Sequence, residues 1–227
     1  ELVVARDLVL ARETGCRIHI QHISSAGSVE LVRFAQKQRI AMTAEATPHH
    51  IALTDEACRT YGTQAKMNPP LREEADRQAI LEGLKDNTIS VIATDHAPHS
   101  DAEKAGAFSD APFGIIGLET AIPVCLSELY HKGILNMSEF VAKFTVGPAA
   151  VLGLQGCTLA PGNAATMTIL DVDRPWEINA ADFFSASRNT PFHRWACRGK
   201  AVATLVAGAW VYSELPGVPG RIGRDAG

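Results

Sequence analysis

The feature that most constrains the fold is an alternation of helix and strand patterns along residues 1–95. Apolar residues recur every three or four positions, as in amphipathic helices, in three segments: 2–13, 28–38 and 72–84. Short apolar runs, which predict strands, lie between them at 17–22, 40–46 and 89–94. Strands that alternate with helices form parallel sheets, because each helix returns the chain to the starting edge. The sequence therefore predicts an α/β fold.

The first predicted strand ends at His22. Under the period of two, Ile18, Ile20 and His22 share one face of this strand, and His19 lies on the opposite face. We therefore expect His22, and not His19, to point inward.

Each predicted strand runs into a polar loop at its C-terminal end. The loops carry His22 and Ser24, then Thr47-Pro48-His49-His50, then Asp95-His96-Ala97-Pro98-His99. Parallel α/β sheets and (β/α)₈ barrels keep their active sites at this end of the strands. We expect the functional residues here.

In the second half of the chain, the predicted alternation of helix and strand gives way to helices followed by strands. Helices are predicted at 118–131, 138–145 and 148–154, followed by a strand at 165–170 and a hairpin formed by 200–206 and 209–212. We predict a first domain over 1–155, a small β domain over 156–215 and a flexible tail over 216–227.

Composition argues against several classes of function. The 21 Lys and Arg residues against 25 Asp and Glu residues form no basic stripe, which argues against nucleic-acid binding. The five cysteines, Cys157 among them, are scattered without a C-x-x-C pair, as in reduced cytoplasmic proteins. No apolar run approaches the ~20 residues that span a bilayer. We predict a cytoplasmic protein without a membrane partner.

Asp95 and His22 suggest a metal site. An ionised carboxylate at the tip of a buried strand costs several kcal/mol unless a cation or hydrogen-bond donors balance it. His22 ends a neighbouring strand, so the two side chains are expected to reach one ion at zinc-like distances of roughly 2.0–2.2 Å. Catalytic zinc usually has about three protein ligands, and no strand here carries an H-x-H pair.

Five segments, in order, resemble signatures of the dihydroorotases, bacterial type I branch, in the amidohydrolase superfamily. They are Q-H-I-S at 21–24, T-P-H-H at 47–50, K-M-N-P-P-L-R at 66–72, A-T-D-H-A-P-H at 93–99 with Lys104 after it, and P-F-G-I-I-G-L-E-T at 112–120. S-R-N-T-P-F at 187–192 and the hairpin are similar to the family's C-terminal end.

This resemblance implies the C-terminal part of a (β/α)₈ TIM barrel over 1–155, with a small β-sandwich appendage. It implies an enzyme that interconverts N-carbamoyl-L-aspartate and L-dihydroorotate in pyrimidine biosynthesis, using one or two Zn²⁺ ions. His22 would be a metal ligand. Asp95 would be a ligand and the general base that passes a proton to the leaving ring nitrogen.

The resemblance also implies a substrate site. Asn68 and His99 would hold the substrate, and Phe113 and Gly114 would line its ring through main-chain contacts. We expect His49 and His50 to form a structural turn and His96 to orient its neighbours. Two further histidines and the three tryptophans are expected to be surface or packing residues: His131, His193, Trp176, Trp195 and Trp210.

The chain also departs from the family pattern. Family members carry an H-x-H pair, a bridging carboxylate and a further histidine upstream of the segment that matches Glu1. We therefore expect the chain to be the C-terminal part of a longer enzyme, and to bind zinc weakly without turnover when alone. A homodimer is expected, with aspartate transcarbamoylase as a candidate partner.

Two alternatives stay open. A related cyclic amidase, such as a hydantoinase, dihydropyrimidinase or allantoinase, would share the fold and the metal ligands. A non-catalytic scaffold of aspartate transcarbamoylase would typically lose ligands, so the presence of His22 and Asp95 argues against it.

Overall fold

The computed structural model describes residues 1–155 and 158–218. Its helices are α1 Leu2–Thr14, α2 Ala26–Lys37, α3 Pro48–Ala52, α4 Ala57–Tyr61, α5 Glu74–Lys85, α6 Asp101–Lys104, α7 Ala121–Cys125, α8 Met137–Phe144 and α9 Val146–Leu152. Its strands are β1 Ile18–Ile20, β2 Met42–Ala46, β3 Val91–Ile92, β4 Met167–Glu177, β5 Ala196–Val206 and β6 Ala209–Ser213. The start of the predicted β domain at Gly156, the thiol of Cys157 and residues 219–227 of the predicted tail lie outside the described residues.

The predicted alternation and the parallel sheet are confirmed. Strands β1, β2 and β3 form a parallel sheet in that order, with Ile18 paired to Met42 and Ala46 paired to Ile92. The pairing continues at the C-terminal ends, where Ile23 N donates to Glu45 O at 2.9 Å and Ala93 N donates to Ala46 O at 3.0 Å. These bonds bring the loops after all three strands to one edge.

Helices α1, α2, α5 and α8 cover one face of this sheet. Their apolar stripes pack on the strands to form the main core, which includes Val29, Val32, Met42, Leu84 and Phe140. Burial of these side chains is the main force that holds the strands in register. The core thereby fixes where the strand ends lie.

Strand β1 is shorter than predicted. It ends at Ile20, and His22 lies in a left-handed backbone conformation with φ 51°. The alternation of faces requires extended backbone, so it does not carry through to His22. The expectation that Ile18, Ile20 and His22 share one face is therefore wrong.

Two helical segments also differ from their predictions. The predicted helix over 118–131 is α7 followed by a π-helical turn, Leu126–Tyr130, closed by His131 N donating to Leu126 O at 2.9 Å. The predicted turn at Pro48 is instead the start of α3, with Pro48 in its first turn and Thr47 Oγ1 accepting from His50 N at 3.2 Å. No helix in residues 1–155 or 158–218 is long and apolar enough to cross a membrane.

The β unit is an antiparallel sheet in the order β4-β5-β6. Its strands are longer than predicted, since β4 continues to Glu177 and β5 begins at Ala196. Leu170 and Val172 of β4 pack against the main core, so the sheet is joined to the α/β unit. A second layer, which a sandwich needs, and the division at residue 155 stay predictions.

Candidate active site

Three side chains from three neighbouring strands meet at the C-terminal edge of the parallel sheet. Glu45 lies on the central strand β2, while His22 and Asp95 follow the outer strands β1 and β3. His22 Nδ1 lies 2.9 Å from Glu45 Oε1, and His22 Nε2 lies 3.5 Å from Asp95 Oδ1. The structure therefore brings together the two predicted metal ligands and adds Glu45, a carboxylate that was not among the predicted site residues.

His19 belongs to the same cluster. Its Nε2 lies 3.0 Å from Glu45 Oε2, and its Nδ1 lies 2.8 Å from Thr43 Oγ1. The expectation that His19 and His22 lie on opposite faces is wrong, because the turn after Ile20 returns His22 to Glu45. Glu45 thus contacts one histidine with each of its oxygens.

The electrostatics of the cluster centre on Glu45, whose side chain is only 8% exposed. Burial raises its pKa, but His19 and His22 together outweigh burial and bring the pKa down to about 2. The contact with Glu45 in turn raises the pKa of His22, against the lowering effect of burial and with a smaller contribution from Asp95. A buried, ionised carboxylate therefore supports His22.

Both predicted metal ligands have unusual backbone conformations. His22 has φ 51° and Asp95 has φ 47°, in the left-handed region that residues with a Cβ rarely adopt. Such conformations cost of order 1–3 kcal/mol each and concentrate at functional sites, where surrounding contacts enforce them. The strain coincides here with the two side chains that point at each other.

The separation of these two side chains fits a shared metal ion. Two atoms that each lie about 2.1 Å from a tetrahedral ion are about 3.4 Å apart, and His22 Nε2 and Asp95 Oδ1 are 3.5 Å apart. Within the part of the chain that the structure describes, no group of three or more His, Cys, Asp or Glu side chains could hold a metal ion. The separation of His22 and Asp95 therefore fits two ligands of a metal centre, and the described residues do not supply a third.

The buried carboxylate of this site is Glu45, whereas the sequence predicts Asp95. The Asp95 side chain is 29% exposed, whereas that of Glu45 is 8% exposed. The available signal was an acidic residue inside the otherwise weakly polar strand M-T-A-E-A. Asp95 is therefore partly exposed, and Glu45 is buried.

His49 and His50 are both buried in α3. Burial lowers the pKa of His50 to about 4 and lowers that of His49 well below its usual range, with His22 contributing to both. His50 Nδ1 lies 2.7 Å from Thr47 Oγ1, and its Nε2 donates to Pro69 O at 3.0 Å. His50 thereby ties α3 to the segment that carries Asn68.

The predicted substrate-contact residues lie on adjoining loops. His99 Nε2 donates to Phe113 O at 2.9 Å, and Gly114 N donates to Lys66 O at 2.8 Å. Asn68, two residues after Lys66, is exposed. The structure therefore joins His99, Phe113 and Gly114 directly and places the Asn68 segment beside them.

The remaining predicted packing roles agree with the contacts. His96 Nδ1 accepts from Gly117 N at 3.1 Å, which orients the turn before α7. His131 Nε2 donates to Val172 O at 2.8 Å, and Trp195 Nε1 donates to Tyr61 Oη at 3.1 Å. These side chains join elements of the fold outside the His22 cluster.

Comparison with known proteins gives concordant matches. A model of the amidohydrolase family matches residues 2–211. A dihydroorotase from Pelotomaculum thermopropionicum is 49% identical over 94% of this chain, and one from Syntrophus aciditrophicus is 45% identical over 94%. The solved L-hydantoinase from Arthrobacter aurescens matches with a TM-score of 0.88 at 30% identity, covering 92% of this chain and 48% of its own.

The two dihydroorotases are each covered over 50% of their length, so this chain spans about half the length of the curated relatives it matches. The family match, in contrast, extends over nearly the whole chain, from α1 to β6. This chain therefore belongs to the amidohydrolase family.

Proposed function

We propose that this chain supplies the C-terminal half of the active site of a zinc-dependent dihydroorotase. The enzyme would interconvert N-carbamoyl-L-aspartate and L-dihydroorotate in cytoplasmic pyrimidine biosynthesis. The observation that carries the proposal is the pair His22 Nε2 and Asp95 Oδ1, 3.5 Å apart at the C-terminal edge of the sheet. Relatives named dihydroorotase, at 45–49% identity, support this choice of substrate over hydantoins.

His22 and Asp95 would hold the zinc ion, with His22 oriented by Glu45. When bound, zinc acts as a Lewis acid toward the ring carbonyl and lowers the pKa of an attacking water toward ~7. Asp95, which is partly exposed, would accept the proton of the attacking water and donate it to the leaving ring nitrogen. The same carboxylate would thus act as base and then as acid.

His99, Asn68 and the main chain of Phe113 and Gly114 would hold the substrate beside Asp95. The bond from His99 to Phe113 O supports this arrangement, because it joins two of the proposed contacts into one surface. A homodimer and an association with aspartate transcarbamoylase remain part of the proposal. We also propose that the parallel sheet is part of a closed (β/α)₈ barrel and that the β unit is part of a β sandwich.

Asp95→Asn in the protein expressed from its complete reading frame tests the proton-transfer role. Asparagine keeps a ligand oxygen but cannot accept a proton near neutral pH, so kcat for dihydroorotate should fall by about 10²–10⁴-fold with bound zinc largely retained. Zinc is measured by elemental analysis of the purified protein. Asp173→Asn, at an exposed carboxylate paired with Arg198, is the control and should keep full activity.

Near-normal activity of the Asp95→Asn protein would end the assignment of Asp95 as the base. A wild-type protein that hydrolyses hydantoin but not dihydroorotate would instead be a hydantoinase. A wild-type protein that binds zinc and hydrolyses neither substrate would support a scaffold.

A further inference from the structure

Asn189 is a fully buried side chain that joins two loops of the proposed substrate site. Its Oδ1 accepts from His99 N at 3.1 Å, and its Nδ2 donates to Ala97 O at 2.9 Å and to Gly114 O at 3.3 Å. Its own carbonyl accepts from Ile116 N at 3.1 Å. One side chain from the β-unit half of the chain therefore links the loop after β3 to the loop before α7.

Lys104 reaches the same carbonyl from another direction. Its Nζ donates to Gly114 O and to Pro112 O, both at 2.9 Å, and the residue is only 2% exposed. Burial, with a further contribution from Lys66, lowers the pKa of Lys104 to about 8. Burying an ammonium group is costly, so two bonds to adjacent loop carbonyls indicate a role in holding that loop.

Gly114 is enclosed by these contacts. It has φ +97°, and a Cβ at this position would lie 2.6 Å from Ala97 Cβ, so the Gly114 main chain lies against the Ala97 methyl group. Its N–H donates to Lys66 O at 2.8 Å while its carbonyl accepts from both Lys104 and Asn189. The direction of each peptide group at Gly114 is thus set by buried polar groups.

We propose that Asn189 and Lys104 are positioning residues that set the main chain at Phe113 and Gly114, and the ring of His99, for substrate binding. The inference rests on the proposed function, because it assumes that these groups face the substrate. Neither side chain belongs to the cluster of His22, Glu45 and Asp95, so their loss should weaken substrate binding and leave the chemical step intact.

The kinetic test uses Asn189→Asp and Lys104→Met in the protein expressed from its complete reading frame. Asn189→Asp keeps the acceptor for His99 N but removes the donor to Ala97 O and Gly114 O. For both variants the KM for dihydroorotate should rise by at least about tenfold, with kcat within about threefold of wild type and zinc content unchanged.

Two matched controls contact the chain just before β3, at the N-terminal end of the parallel sheet. Gln36 is an amide that donates to Thr88 O at 3.0 Å, and Lys143 is a buried ammonium that donates to Ile89 O at 2.7 Å. Gln36→Met and Lys143→Met should lower the melting temperature comparably while leaving KM unchanged. A KM that rises equally in the controls, or stays within about twofold of wild type in both test variants, would overturn the proposal.

Hydrogen exchange separates this inference from the proposed function. The amides of Gly114 and Ile116 should exchange at least about tenfold faster in Asn189→Asp and Lys104→Met, and unchanged in the two controls. A wild-type protein without dihydroorotase activity would refute the proposed function. Faster exchange in the two test variants would still show that Asn189 and Lys104 hold this loop. Unchanged exchange in both test variants would refute the proposal that Asn189 and Lys104 position this loop.

Discussion

At the scale of single residues, Glu45 determines how His22 is presented. Its Oε1 lies 2.9 Å from His22 Nδ1, and the same two atoms make no hydrogen bond to any other group in the described part of the chain. A carboxylate on one ring nitrogen fixes the ring orientation and leaves the other nitrogen for a metal, as in carboxylate–histidine–zinc arrangements. His19 Nε2 contacts the other oxygen of Glu45, and Thr43 Oγ1 in turn contacts His19 Nδ1.

Replacing Glu45 should therefore weaken metal binding more than it disturbs the fold. Glutamine has a single acceptor oxygen and cannot accept from both His19 and His22, so zinc affinity should fall by about 10–100-fold in Glu45→Gln. Competition with a chelator measures this affinity. Glu30→Gln, at an exposed carboxylate, is the control. Equal affinities of wild type and Glu45→Gln would show that Glu45 does not support the metal ligand.

Lys143 should give the protein a pH-dependent stability. Burial lowers its pKa to about 8, against the smaller raising effects of Glu139 and Asp86. Between pH 8 and its unperturbed pKa near 10.5, the unfolded chain binds more protons at this site than the folded one, so the free energy of unfolding rises with pH. Lys143→Met should remove at most about 3 kcal/mol of this rise, measured by urea unfolding at both limits. An unchanged difference between the two pH values would contradict the assignment.

At the scale of elements, the position of β3 depends on how closely α9 approaches it. Gly147 in α9 faces the main chain just before β3, where an added Cβ would lie 2.2 Å from Ser90 O and 2.9 Å from Ala142 O. Helix and strand are in contact here because this residue has no side chain. Asp95 follows β3 by three residues, so its position depends on this contact between α9 and the chain before β3.

Gly147→Ala should accordingly destabilise the protein by about 1–3 kcal/mol or more, because the backbone must move to admit a methyl group. Urea unfolding gives the free energy directly. In Gly106→Ala the added Cβ would have its nearest neighbour at 3.9 Å, so this control should stay within about 0.5 kcal/mol of wild type. A Gly147→Ala protein as stable as the control would mean that α9 and β3 can separate without cost.

At the scale of the whole molecule, the candidate site extends across the entire parallel sheet. His22 follows one outer strand, Asp95 follows the other, and Glu45 lies on the strand between them. Both outer strands have an unpaired edge in the described sheet, and such edges favour pairing with further strands. Two ligands of the roughly three that catalytic zinc uses come from this arrangement.

The 227-residue chain on its own should therefore bind zinc weakly and should not turn over dihydroorotate. Zinc affinity and hydrolysis are compared with those of the protein expressed from its complete reading frame. Substantial hydrolysis by the 227-residue chain alone would show that its own residues complete the site.

The sequence by itself determined the alternation of helices and strands, the parallel sheet and the edge at which His22 and Asp95 meet. These features depend on local periodicity and on the chain direction of parallel strands, both of which are written in neighbouring residues. The family motifs added the expected roles of His99, Phe113 and Gly114, two of which the structure joins by a hydrogen bond.

Only the tertiary structure decided which polar side chains share the site. The face of His22 depends on where β1 ends, and that end is set by a left-handed turn that side-chain periodicity does not encode. Glu45 reaches both histidines because β1 and β2 pair in one register, and Asn189 reaches Ala97 across 92 residues of chain. Such contacts form when buried polar groups of packed elements pair with each other. The partners lie far apart in the sequence, so the pattern of neighbouring residues does not predict which of them will meet.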